Sequence, residues 1–175
     1  PTIDIDAPPQ LAFVASSTTV DTTANTISIT AHPFETGDTI TYDTTTLDSN
    51  AVAIGGISAG TYYAIRVDDD LIKVASSASN ANAGTALPLS SVGSGSQFFQ
   101  GEQAVAGAVT VTAGEITAIA ISNKGSGYNN GPAVTITDST GSNAVVNTLF
   151  GRGVTSVSIT TAGEYATGSA PTVSF

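Results

Sequence analysis

The chain has 175 residues, no cysteine, and a formal charge of −10 from fourteen carboxylates and four cations. Only 10% of its residues are charged, against about 25% in an ordinary soluble domain, so Ser, Thr and Asn must supply the solvation. Four scattered cations, Arg66, Lys73, Lys124 and Arg152, cannot track a phosphate backbone, and an acidic surface is repelled by anionic lipid, so neither nucleic acid nor a membrane is an expected partner.

The length favours one domain or two small ones, with enough chain to bury a core without disulfides. Hydrophobic residues make up 41% and recur with period two, which argues against disorder and for strands. The first ten residues, P-T-I-D-I-D-A-P-P-Q, lack the basic and apolar regions of a signal peptide. No window approaches a membrane span. A start at Pro1 without Met reads as processed, either by initiator removal or by cleavage from a precursor.

Pro8-Pro9 make residues 1–11 an extended arm. It holds two apolar positions, Ile3 and Ile5, too few for a core of its own, so it is expected to order only on assembly. Ala12 to Ala15 is a short apolar run. Ile27 and Ile29 alternate with Ser28 and Thr30 up to His32-Pro33, and Gly37 closes a turn before Ile40 and Tyr42. Ala51 to Ile54 reads as another strand. A hairpin follows, with Tyr63, Ile65 and Val67 inward on one strand, Ile72 and Val74 inward on the other, and Asp68 to Asp70 as its turn. Ser76 to Gly84 suggests one helical turn ended by Gly84. Leu87-Pro88-Leu89 reads as an edge or bulge, because Pro cannot donate to a central ladder.

Beyond a junction near residue 100 the chain repeats itself. Gly114 to Ile136 and Gly153 to Phe175 share an alternating strand, a Gly-Tyr corner, a proline and a second alternating strand. Ile119 corresponds to Val157, Tyr128 to Tyr165, Pro132 to Pro171 and Val134 to Val173. Such a unit cannot bury its apolar face alone, so repetition implies packing on a neighbour. The expected fold is all-β: the arm (1–11), a β-sandwich-like N-terminal module (12–100), and a small β region built from two hairpin-like repeats (101–175).

The segments I-S-I-T-A-H-P-F-E-T-G-D-T-I-T-Y (27–42), G-G-I-S-A-G-T-Y-Y-A-I-R-V-D-D-D-L-I-K-V-A-S-S (55–77) and A-G-T-A-L-P-L-S-S-V-G-S-G-S (83–96) together resemble a β module. That module recurs in structural proteins of tailed bacteriophages and in very large bacterial surface proteins. The segment I-S-N-K-G-S-G-Y…G-P-A-V-T-I (121–136) resembles short repeats of marine and cyanobacterial phage virion proteins. The second repeat departs from it, with A-G-E-Y (162–165) at the corner. The resemblance implies assembly or attachment: a virion structural protein such as a capsid decoration, collar, neck or fibre component. Its partners would be other virion proteins and copies of itself, with a host surface glycan as a further candidate. The alternative is a fragment of an extracellular bacterial adhesin or surface filament.

Residues with chemical capacity read more simply as structure. His32 is the only histidine and precedes Pro33 at a strand end, with no nucleophile elbow leading into a helix. One His and no Cys give zinc no ligand cluster, and Asp68-Asp69-Asp70 lack the alternating spacing that aims carboxylates at calcium. Asp4 and Asp6 share one face of the arm. Glu35, Asp38, Glu102, Glu115 and Glu164 could serve as a glycosidase pair only with a raised pKa, whereas most sit at solvated turns. Gly93-x-Gly95 and Gly125-x-Gly127 open no helix, so they serve as turns and not as phosphate cradles. No catalytic, cofactor-binding or metal-binding residue is expected, and no cofactor. The expected assembly contacts are Pro1, Ile3, Ile5, Pro8 and Pro9 on the arm, Phe98 and Phe99 at the step before the repeats, the corner tyrosines Tyr128 and Tyr165, and Pro171, Val173 and Phe175 on the last strand.

Overall fold

A computed structural model describes residues 2–137, 141–151 and 153–161. These residues form thirteen strands and one short helix, an all-β architecture of three antiparallel sheets with seven, four and two strands. The chain divides into two compact units. One is continuous, Pro9–Glu102. The other is interrupted and combines Pro1–Pro8 with Gln103–Phe175. Strand β1 (Thr2–Ile5) opens the interrupted unit. The continuous unit holds β2 (Gln10–Ala15), β3 (Val20–Asp21), β4 (Thr26–Ser28), β5 (Thr39–Asp43), β6 (Gly60–Arg66), β7 (Leu71–Ala75), α1 (Ala78–Asn82) and β8 (Gly95–Gly101). The interrupted unit resumes with β9 (Val105–Thr112), β10 (Glu115–Asn123), β11 (Val134–Thr137), β12 (Val145–Phe150) and β13 (Val154–Thr161).

In the continuous unit the strand order is β2-β8-β5-β6-β7-β4-β3. Phe13 and Ala15 at one end of this sheet meet Val20 and Ile27 from the other end in a single core with Phe34, Ile40, Tyr42, Ile72 and Phe99. The sheet therefore curls over its own apolar face, and its sandwich-like layering comes from one continuous sheet. Phe13 and Tyr42 stack on Phe99 at centroid distances of 5.9 and 5.0 Å, a spacing at which aromatic pairs attract.

Two details of the sequence reading change here. In β6 the register sets Ala64 opposite Val74 and Arg66 opposite Ile72. Tyr62 and Ala64 thus face the main core, while Tyr63 and Ile65 lie on the other face; Val67 is 48% exposed. That second face is covered as well, because α1 lays Ala81 against Ile65 and Ala75. With both faces covered, side-chain size could not reveal which was the main core, and the register of the hairpin decided it. Helix α1 itself follows expectation: Ser77 Oγ accepts from Asn80 N at 3.1 Å, and Gly84 ends it with φ +71. The expected strand Ala51–Ile54 is instead a loop joined by two isolated bridges, Val52 to Ser94 and Gly55 to Ser91. Gly93, with φ +68, lies so close that a Cβ there would sit 2.6 Å from Val52 O. Close backbone approach, and not a ladder, pins this segment.

In the interrupted unit the larger sheet runs β12-β13-β10-β9, and β1 pairs with β11 in the smaller one. Ile119 and Val157, the residues that the sequence repeat equates, lie opposite each other across β10 and β13. Equivalent strands therefore pair antiparallel, and the hairpins β9–β10 and β12–β13 sit on either side of a local two-fold. The strands that precede β10 and β13, namely β9 and β12, are the two outer strands of this sheet. The corner after β10 then carries the chain out of the four-stranded sheet to β11. Ile3 and Ile5 of β1 share a core with Ala104, Ala106, Ile116, Ile119, Tyr128, Val154 and Val157.

The arm is thus not an arm. Thr2 to Ile5 align with Thr137 to Val134, and Asp6 N donates to Ala133 O at 3.0 Å. Ile3 and Ile5 are 6% and 2% exposed. Two apolar residues cannot make a core, but on a strand they can complete one built elsewhere in the chain. Gln10 and Leu11, the rest of the expected arm, belong to β2 of the continuous unit. We predict that Ile5→Ala destabilises the protein by about 2–5 kcal/mol, the usual cost of truncating a buried Ile. Urea unfolding of the variant and the native chain checks it; an unchanged midpoint would restore the free arm.

Candidate assembly surface

His32, Asp38 and Asp68 to Asp70 are committed to local structure. His32 is buried and stacks on Phe34 at 5.8 Å. Asp68 Oδ1 accepts from Asp70 N at 2.8 Å, Asp69 pairs with Arg66, and Asp70 Oδ1 accepts from Ala31 N at 2.7 Å. The three carboxylates diverge to brace one turn and the neighbouring loop. Asp38 Oδ2 accepts from Glu35 N at 2.8 Å within the Gly37 turn. Among the described residues no three His, Cys, Asp or Glu side chains gather as a metal site would. Glu164 lies outside the described residues.

The strongest perturbation belongs to Tyr42. Its Oη donates to Gln97 Oε1 and accepts from Ile54 N at 3.0 Å. Gln97 Nε2 in turn donates to Val52 O and Ser94 O at 2.8 and 3.0 Å. Both side chains are fully buried. Burial pushes Tyr42 up to about 12, so its phenol stays a neutral donor. A nucleophile or general base needs the opposite shift. The network braces the irregular 52–54 segment, and the Tyr42 hydroxyl gives the buried Ile54 N its partner.

Most of the expected contact residues are internal. Ile3, Ile5 and Pro8 are buried, as are Phe98, Phe99 and Tyr128; Pro9 alone of the described set is exposed. Phe99 belongs to the main core, and Phe98 points to the opposite face of β8. Tyr128 Oη accepts from Ala104 N and donates to Asp6 O, both at 2.9 Å, so its hydroxyl reaches backbone. Pro1, Tyr165, Pro171, Val173 and Phe175 lie outside the described residues. Large apolar residues go first to the core, which is where Ile3, Ile5, Phe99 and Tyr128 lie.

Among the described residues the exposed large apolar side chains lie elsewhere, at Val14, Leu47, Val52 and Val67 in the continuous unit and together on one strand, β12, in the other. Strand β12 reads V-V-N-T-L-F and is an outer strand of the four-stranded sheet. Val145, Leu149 and Phe150 are 51%, 61% and 41% exposed. Val146 and Thr148 turn inward: Val146 packs on the core, and Thr148 Oγ1 donates to Pro132 O at 3.0 Å. Gly131 underlies this contact, since a Cβ there would meet Thr148 Oγ1 at 2.7 Å. The inner side of β12 is therefore fixed, while Val145, Asn147 and Leu149 face solvent. Charge is sparse here. In β9, β10, β12 and β13 Glu115 is the single Asp, Glu, Lys or Arg, whereas nine of the fourteen acidic residues fall in Pro9–Glu102. An outer strand without charge is the feature that most proteins blunt. The run V-V-N-T-L-F is uncharged in the sequence itself.

The chain matches no protein family, no curated protein and no solved structure with which it was compared.

The buried network carries a pH dependence. An unfolded tyrosine ionises near pH 10, roughly two units below Tyr42 in the folded chain. Between those values the folded state retains a proton that the unfolded state has lost, so stability is intact below about pH 10 and falls as pH rises towards about 12. Tyr128, also raised by burial, acts in the same direction. Tyr42→Phe should be less stable at neutral pH by about 1–3 kcal/mol, because it strands Ile54 N and Gln97. It should also lose less stability than the native chain on going from about pH 9 to pH 11. Urea midpoints at both pH values test this; parallel losses would refute it.

Proposed function

We propose that the protein is a non-enzymatic virion structural protein of a tailed phage, a capsid decoration, collar, neck or fibre component that acts through protein–protein assembly. The observation that carries this reading is the uncharged outer strand β12, on which Val145, Leu149 and Phe150 are exposed together. The continuous unit bears most of the carboxylates, and the four-stranded sheet presents an exposed apolar outer strand with one charge among its four strands. Such a surface suits repeated contact with other copies or with a protein lattice, where β edges and uncharged hydroxyl side chains give pairing without desolvating ions. The virion assignment rests on the modules that the sequence resembles at 27–96 and 121–136.

Function in this reading is the burial of interface, and its natural assay is location. Antibodies against the purified protein should label intact phage particles by immunogold microscopy, at repeated positions on the head, neck or tail. Labelling confined to bacterial cell surfaces would replace this reading with the adhesin alternative.

A further inference from the structure

Building on the assembly reading, we infer that β12 pairs antiparallel with β12 of a second copy, about a two-fold axis at Asn147. The direction of its backbone groups comes first. The carbonyls of Val145, Asn147 and Leu149 accept from Thr160 Oγ1, Ser158 Oγ and Thr155 Oγ1 of β13 at 2.9, 3.4 and 2.8 Å. These carbonyls turn toward β13. By strand alternation, the N–H and C=O groups of Val146 and Thr148 turn away from β13, to the side where no strand pairs with β12 among the described residues and where Gly131 lies near Thr148 O. They are the groups a further strand would bond.

The register follows from symmetry. A two-fold perpendicular to a sheet keeps each residue on its own face, so antiparallel partners must have the same parity. An axis at Asn147 sets Val145 opposite Leu149 of the other copy, Val146 opposite Thr148, and Asn147 opposite itself. Both exposed aliphatic residues then gain an aliphatic partner, on either side of a self-paired amide, and cross-strand pairs of this kind are what stabilise a sheet. An axis at Thr148 would place Asn147 against Leu149 instead. The strand is complementary to itself in one register.

Electrostatics selects the occupant. Two copies of charge −10 repel over most of their surface, and they can approach most easily where no carboxylate is brought to the contact. Strand β12 and its neighbour β13 carry none. The chain already pairs like with like once, where β10 meets β13 with Ile119 opposite Val157. Pairing β12 across copies would extend the same sheet to eight strands.

The absence of cysteine gives a clean test. At the axis Asn147 forms a non-hydrogen-bonded pair, with Cα atoms about 4.5 Å apart, within the span that a disulfide bridges. Asn147→Cys should therefore oxidise to a covalent dimer on non-reducing gels. Ser158→Cys, equally on the exposed face but on the inner strand β13, should remain mostly monomeric. Without any thiol, sedimentation equilibrium of the native chain should show a dimer, and Leu149→Lys should weaken it more than about tenfold, with a melting temperature equal to that of the native chain at dilutions where both are monomeric. A native chain that stays monomeric at high concentration, or cysteines at 147 and 158 that cross-link equally, would overturn the pairing. If the pairing fails while the protein is found on particles, assembly uses another surface. If the protein is missing from particles, the virion reading fails whatever the gels show.

Discussion

The hydroxyl of Tyr128 bridges two stretches of backbone that lie almost a hundred residues apart, accepting from Ala104 N and donating to Asp6 O. Gln103 Nε2 adds a bond to Ile5 O beside it. A phenol can give one hydrogen bond and receive others, so this one side chain satisfies a donor and an acceptor that burial would leave stranded. The interrupted unit depends on that closure, because β1 fills its core and has no other partner strand among the described residues. Bringing together the ends of a free loop of about 100 residues costs roughly 4 kcal/mol, against about 2 kcal/mol for a loop of ten. The continuous unit removes most of that difference. Its first and last strands pair, Gln10 opposite Gln100, so once it has folded the chain enters and leaves it at neighbouring points. A domain can sit within another domain's sequence when its own ends meet.

Each unit thus has a buried tyrosine whose hydroxyl is spent on irregular backbone. Tyr42 fixes the 52–54 loop through Ile54 N and Gln97; Tyr128 fixes the junction at Asp6 and Ala104. In both cases the polar contact serves segments that no β ladder reaches. Regular strands need only alternation and register. The irregular stretches need specific donors and acceptors, and here a few side chains supply them.

The class of fold was readable in the chain because period-two alternation, Gly turns and the near absence of helical spacing all agree. The Gly37 turn, the helical turn within Ser76 to Gly84 and the inward Ile72 and Val74 followed from local chemistry alone. What escaped was non-local. Ile3 and Ile5 look idle until they are set beside Val134 and Ile136, and nothing near residue 3 in the sequence announces a partner more than 130 positions away. The inward face of β6 was misread because helix α1 gives the opposite face a cover of its own. The apolar outer strand β12 was missed for a different reason: its residues are ordinary, and only their place at the side of a sheet makes them unusual.

The pairing of β1 with β11 also has a meaning in time. A ribosome adds roughly 5–20 residues each second, so Ile3 and Ile5 leave it several seconds before Val134 and Ile136 exist. Throughout that interval a strand of good β propensity waits in solution without its complement. Its sequence suits the wait. Asp4 and Asp6 alternate with the two isoleucines, and carboxylates interleaved in a short apolar strand discourage premature pairing with other nascent chains. Once β11 arrives, the side chain of Asp4 lies on the exposed face and need not be buried. The same residue thus serves as a gatekeeper before the strand is paired and as a solvated side chain afterwards.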